Sequence, residues 1–113
     1  MVLMKNMIAK LATEIAAMHK SGKQVILVTS GAIGMGRKAL GITKPAKEVK
    51  LRQALASVGQ SILMHHYQKA FHEHGLNVGQ ILLTSSIMNT RKYYVNLKNS
   101  VETLLSMGVV PIV

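Results

Sequence analysis

The stretch "VILVTSGAIGMGRK", residues 25–38, changes character at its midpoint. Its first half is apolar and rich in β-branched residues, which is typical of a strand buried on both faces of a parallel sheet. Thr29 and Ser30 end the apolar run, and a glycine-rich turn with a basic helix start follows. In α/β folds ligands bind at the carboxyl ends of the strands, so this turn predicts a site for a small anionic molecule.

Outward from this stretch, helical and apolar segments alternate along the chain. The predicted helices cover residues 3–20, 37–40, 48–74 and 91–108. The predicted strands cover residues 25–30, 78–84 and 109–113. Because helices join the strands, we expect an α/β fold in which the three strands lie parallel in one sheet, with their carboxyl ends facing one crevice.

One side of the long helix is expected to be buried, namely Leu55, Val58, Ile62 and Leu63. Gly59 lies on the same helix and allows the close approach of a neighbouring element. The four histidines of this region, which we expect on a solvated basic face, are His65, His66, His72 and His74. None of them pairs with another at i, i+4 and no H-E-x-x-H occurs, so no metal site is predicted.

Composition narrows the class of protein. With 113 residues, 49% of them hydrophobic, the chain forms one domain at most and can bury a modest core. No apolar run approaches the roughly 18 residues of a membrane span, and no cleavage pattern of a signal peptide is present. The lack of such a run predicts no membrane partner, and the absence of cysteine favours a cytoplasmic protein.

The charge balance is strongly basic, since 14 Lys and Arg face four Glu and no Asp, for a net charge of +10. Such a balance fits a polyanion. The basic residues are nevertheless spread from Lys5 to Lys98, and aromatic residues do not interleave with them as nucleic-acid binding by stacking requires, so no nucleic-acid partner is predicted. Arg91, Lys92 and Lys98 are expected on a solvated face. The lack of Asp and of paired carboxylates leaves no catalytic residue to assign within the chain.

The glycine-rich turn admits several chemical interpretations. Residues 34–39 match the dinucleotide pattern G-x-G-x-x-A, but the acid expected about 20 residues later is missing. A phosphate-binding P-loop is excluded because no hydroxyl residue follows Lys38. Ser30, Gly31 and Ala32 can instead hold a carboxylate or phosphate through a hydroxyl and backbone N–H groups. A tight turn whose glycines serve only packing remains the alternative.

Three longer stretches carry a resemblance to a known family: "QVILVTSGAIGMGRKALG", "RQALASVGQSILMHHYQKAFHEHGLNVGQILLT" and "NLKNSVETLLSMGVVPIV". Together they resemble the amino acid kinase family, and within it the branch that phosphorylates glutamate. The resemblance implies a three-layer α/β sandwich with a parallel-rich central sheet. It also implies transfer of the γ-phosphoryl group of ATP, with Mg²⁺, to the γ-carboxylate of L-glutamate, which is the first step of proline biosynthesis.

In that family the serine of the "SGA" turn binds glutamate, so the resemblance assigns substrate binding to Ser30, with Gly31 and Ala32 supplying backbone around it. It implies a homo-oligomer and places most residues for ATP outside this chain. We therefore expect residues 1–113 to be the N-terminal, substrate-binding part of an amino acid kinase domain, truncated at both ends and inactive alone. The competing hypothesis is a small basic α/β module that binds an acidic partner or a nucleotide.

Overall fold

The computed structural model describes residues 2–45, 47–82 and 90–113. In chain order the described elements are α1 (Val2–Lys20), α2 (Ala32–Leu40), α3 (Val49–His72), β1 (Val78–Gln80), α4 (Arg91–Ser106) and β2 (Val110–Ile112). Residues 25–29 run extended between α1 and α2 and are called segment 25–29 below. The protein is thus a mixture of helices and a small sheet.

The sheet is parallel, and its last strand in the sequence lies in the middle. β1 pairs with β2, with Val78 opposite Val110. Segment 25–29 bridges the other side of β2, with Leu27 parallel to Ile112. The Leu27 amide donates to the Pro111 carbonyl at 2.9 Å, and the Val113 amide donates to the Leu27 carbonyl at 2.8 Å. The prediction of three neighbouring parallel strands is confirmed for these residues, although the paired stretches are shorter than expected.

The core lies between the sheet and the helices α1 and α3. Its buried members are Ile8, Ala12, Ile15, Met35, Leu63, Tyr67, Phe71, Val110 and Ile112. The alternation of side chains along a strand turns Pro111 and its partner Gly79 towards the opposite face. There α4 packs, because a Cβ built on Gly79 would come within 3.2 Å of the Leu104 methyl groups.

Helix α2 is longer than the sequence predicts, since it begins at Ala32 and not at Arg37. Gly34 and Gly36 lower the helix propensity of this stretch. Close packing against α3 outweighs that cost: Gly36 is buried, and a Cβ on it would overlap the Leu55 carbonyl. The structure adds a second argument against the dinucleotide pattern at residues 34–39, because both of its glycines lie inside α2 and not in a strand-to-helix turn.

The burial of the predicted elements differs in part from expectation. Segment 25–29 is not buried on both faces, since Ile26 is 48% exposed and Val28 is 76% exposed. In α3, Leu55 and Leu63 are fully buried, whereas Val58 and Ile62 are half-buried. Helix α3 ends at His72, so His74 lies beyond it. The part of the predicted strand 78–84 after Leu82 falls outside the described residues.

Candidate functional site

The predicted site residues occupy the connection between segment 25–29 and α2. Ser30 is exposed, and Gly31 has φ +105° and ψ 6°, a left-handed conformation that favours glycine. The Gly31 carbonyl accepts a hydrogen bond from the Met35 amide at 3.0 Å, which begins α2. Gly31 is the N-cap and no side chain caps the helix. The first N–H groups of α2 therefore remain available at the positive end of its dipole, an arrangement that suits an anion.

A contact between α2 and α3 holds this turn in place. A Cβ built on Gly59 would overlap the carbonyl of Ala32 and approach the amide nitrogen of Gly36 at 2.6 Å. The close approach predicted at Gly59 is therefore confirmed, and the neighbour is α2. Because Ala32 is the first residue of α2, the packing of the two helices also sets the position of the Ser30 turn.

A cavity of about 540 Å³ lies beside the turn and is lined by Met4, Met7, Ile8, Lys10, Leu11, Glu14, Val28, Thr29, Ser30, Leu63 and Tyr67. Most of its wall is apolar. Its charged lining residues are Lys10 and Glu14 of α1, which the sequence did not predict near Ser30. Of the three predicted site residues, Ser30 lines this cavity, whereas Gly31 and Ala32 lie just beyond its lining.

The sequence predicted no glutamate beside the Ser30 turn, whereas in the structure Glu14 lines the same cavity as Ser30. The sequence could have indicated a common location for four lining residues of α1, because their spacing puts them on one face of the helix: Met7, Lys10, Leu11 and Glu14. That the face would lie beside Ser30 depends on how α1 packs, which spacing does not reveal. The single ion pair among the described residues is between Lys98 and Glu102, at 4.0 Å, so Lys10 and Glu14 are not paired with each other.

The remaining charged candidates lie away from this cavity. Arg91, Lys92 and Lys98 of α4 are exposed, as predicted, and none of them lines it. His65 and His72 are exposed and His66 is half-buried, which confirms that these histidines are partly solvated. Among residues 2–45, 47–82 and 90–113, no group of three potential metal ligands comes together.

The surroundings of His66 shift its pKa. Burial, followed by the positive charges of Lys5, His65 and Lys69, lowers the pKa of His66 below its ordinary value of 6.5. The folded protein then binds this proton less readily than the unfolded chain. The contribution of His66 to stability is therefore fully present above pH 6.5 and is lost as the pH falls below that value.

When the pH is lowered below 6.5, we expect the His66→Gln variant to lose less of its unfolding free energy than the unmodified protein. Urea unfolding of the purified protein at a series of pH values measures this. The matched variant His72→Gln removes an exposed histidine from the same helix. An equal change in both variants would contradict the explanation by burial and neighbouring charge.

The structure thus has a parallel sheet in which one strand end leads through a Ser-Gly-Ala turn into a helix. Residues 2–113 match the amino acid kinase family. The chain belongs to that family. Its similar proteins include the glutamate 5-kinase of Methanococcoides burtonii, 50% identical over 103 residues, which are 91% of this chain and 28% of that protein. The glutamate 5-kinase of Aquifex aeolicus is 46% identical over 108 residues, 94% of this chain and 30% of that protein.

A third relative, the glutamate 5-kinase of Geobacter sulfurreducens, is 43% identical over 111 residues, 98% of this chain and 30% of that protein. The chain thus spans less than a third of the length of these curated relatives. In the part of the chain that the structure describes, no helix is long and apolar enough to span a membrane.

Proposed function

We propose that this chain is the substrate-binding part of a kinase that transfers the γ-phosphoryl group of ATP to the γ-carboxylate of L-glutamate. The product is glutamyl 5-phosphate, the first intermediate of proline biosynthesis. The observation that carries the proposal is the 43–50% identity to three proteins named glutamate 5-kinase across 91–98% of this chain. The resemblance of the "SGA" turn to the glutamate-binding turn of that family supports the same conclusion.

In this proposal the turn binds the substrate, and no residue of the chain is assigned to catalysis. The Ser30 hydroxyl donates to a carboxylate of glutamate, and the backbone N–H groups at Gly31 and Ala32 offer further donors. The open start of α2 adds the positive end of a helix dipole. An apolar cavity of about 540 Å³ with a few polar groups is of a size that takes a small molecule.

The described residues do not fit a complete site for ATP and Mg²⁺. Glu14 is the one carboxylate that lines the cavity among them, and no group of three metal ligands assembles in this part of the chain. Mg²⁺ takes oxygen ligands from carboxylates and phosphates, so we propose that its protein ligands lie outside these residues.

The wider architecture is part of the proposal. We place these residues in a three-layer amino acid kinase sandwich with a parallel-rich central sheet, as the N-terminal, substrate-binding part of that domain. The full protein is proposed to be a cytoplasmic homo-oligomer without a nucleic-acid or membrane partner. A module that binds an acidic partner is the competing function, and its one support is the net charge of +10.

The test is Ser30→Ala in the protein expressed from the longest reading frame that contains these residues. We expect the KM for glutamate to rise about ten- to a hundredfold while the KM for ATP changes little, because a hydrogen bond to a charged group contributes about 1.5 to 3 kcal/mol. ATP-dependent formation of glutamyl hydroxamate measures both constants.

The matched control is Ser106→Ala, which removes an exposed serine whose hydroxyl donates to the Thr103 carbonyl at the end of α4. It should leave both constants unchanged. Equal losses for glutamate and ATP in Ser30→Ala would assign the turn a role in folding. No turnover of glutamate by the unmodified protein would favour the binding module.

A further inference from the structure

The turn that holds Ser30 is connected to the core through two hydroxyl groups. Tyr67 of α3 is buried, at 6% exposure, and its hydroxyl lies 3.0 Å from the Thr29 hydroxyl. The Thr29 hydroxyl in turn donates to the Ser30 carbonyl at 3.4 Å. Tyr67, Thr29 and Ser30 all line the cavity beside the turn. A chain of polar contacts thus leads from the buried face of α3 to the backbone of the candidate site.

The direction of this chain follows from counting protons. A threonine hydroxyl has one proton to donate, and in this geometry it is directed at the Ser30 carbonyl. Either hydroxyl can be the donor in the contact between Tyr67 and Thr29, and when the Thr29 proton is on the Ser30 carbonyl, Tyr67 is the donor and Thr29 the acceptor. The Tyr67 contact has ordinary hydrogen-bond length, whereas 3.4 Å is long for the second one, so Tyr67 provides the firmer attachment.

Core packing alone does not account for a tyrosine at this position. The ring of Tyr67 packs among apolar residues such as Leu63 and Phe71, a setting that phenylalanine would fill equally well. The hydroxyl, by contrast, reaches the end of segment 25–29, one residue before Ser30. Since the Ser30 carbonyl belongs to the peptide that carries the Gly31 amide, a contact to this carbonyl restrains the direction of that N–H group.

We propose that Tyr67 and Thr29 are positioning residues that orient the peptide between Ser30 and Gly31 for the amino-acid substrate. The inference rests on the proposed function and deepens it. Neither residue takes part in the reaction. Their hydroxyls reduce the number of orientations open to the turn before the substrate arrives, so their loss is expected to weaken glutamate binding and to leave ATP binding unchanged.

The experiment uses Tyr67→Phe and Thr29→Val, each of which removes one hydroxyl and preserves the shape of the side chain. The control is Tyr94→Phe, which removes a hydroxyl from an exposed tyrosine of α4. For each variant of the protein from the longest reading frame, the KM values for glutamate and ATP, kcat and the melting temperature are measured. Calorimetry of glutamate binding gives a readout that is independent of turnover.

We expect the KM and the dissociation constant for glutamate to rise about two- to tenfold in both variants, as the loss of one neutral hydrogen bond implies. The KM for ATP should stay constant, and the double variant should be no worse than the more affected single variant, because both changes break the same chain of contacts.

Two results would overturn the inference while the proposed function stands. One is an active protein in which Tyr67→Phe and Thr29→Val bind glutamate as the Tyr94→Phe control does. The other is an equal rise of both KM values together with a fall in melting temperature, which would indicate a structural role alone. If the unmodified protein neither binds nor phosphorylates glutamate, the proposed function fails, and the inference fails with it.

Discussion

Replacing Gly59 with alanine is expected to lower the free energy of unfolding by about 3 kcal/mol or more. The added Cβ would overlap the carbonyl of Ala32 and press on the amide nitrogen of Gly36, and both of these belong to the backbone of α2. A side chain in the way could change its rotamer, but a helix backbone cannot, so α2 and α3 must separate. Stabilities of whole domains are about 5 to 15 kcal/mol, which makes this loss severe.

Gly34 provides the matched control within α2. A Cβ on Gly34 would meet nothing within 4 Å, and Gly34 is not among the glycines with positive φ. Gly34→Ala should therefore leave stability unchanged or raise it by up to about 1 kcal/mol, because alanine is the better helix former. Urea unfolding of both variants, in the protein from the longest reading frame, measures the difference.

A second variant tests the same contact between α2 and α3 from the side of α2. Gly36→Ala places a Cβ against the carbonyl of Leu55 and should destabilise the protein as Gly59→Ala does. Because both changes separate the same two helices, the double variant should lose less than the sum of the two single losses. A Gly59→Ala protein as stable as Gly34→Ala would contradict the close packing of α2 on α3.

The second large effect concerns activity: residues 1–113 by themselves are expected to form no glutamyl phosphate above background. The transferring phosphoryl group needs several positive charges and positioned ligands around it. Among the described residues, the cavity beside Ser30 contains one cation, Lys10, and one carboxylate, Glu14. The sequence has no Asp and only four Glu. Since the loss of a single positioned donor reduces kcat about 10²- to 10³-fold, the deficit here is larger still.

The measurement is ATP-dependent glutamyl hydroxamate formation by the purified 113-residue chain. The glutamate 5-kinase of Aquifex aeolicus, 46% identical over 108 residues, is the positive control under the same conditions. Unpaired sheet edges promote aggregation, which could inactivate the short chain for a trivial reason. Circular dichroism therefore checks that the chain is helical under the assay conditions. Robust turnover that Ser30→Ala abolishes would show that these residues suffice for catalysis.

Local patterns predicted the order of the elements and the position of the turn. Helical spacing in residues 3–20 and the apolar runs at residues 25–30 and 109–113 depend on neighbours along the chain, and the structure confirms each of them in large part. Ser30, Gly31 and Ala32 are consecutive, so no folding was needed to bring them together. The close approach of another element at Gly59 could be predicted from the sequence because glycine has no side chain and lies on the buried face of a helix.

Contacts between distant residues decided the rest. The start of α2 at Ala32 depends on the packing of Gly36 against Leu55, which overrides a weak local propensity. Glu14 lines the same cavity as Ser30 because α1 packs beside the carboxyl end of segment 25–29. The spacing of residues shows that Lys10 and Glu14 share a face of α1, but it does not show which element that face packs against.

By itself, then, the sequence determined what depends on residues a few positions apart: the alternation of helices and apolar runs, the turn at Ser30 and the family that these stretches resemble. Only the tertiary structure decided that β2 lies between segment 25–29 and β1, that Ile26 and Val28 are exposed, and that Tyr67 reaches Thr29. The physical reason is that spacing along the chain restricts each element alone. Which faces meet depends on the packing of whole helices and strands against one another.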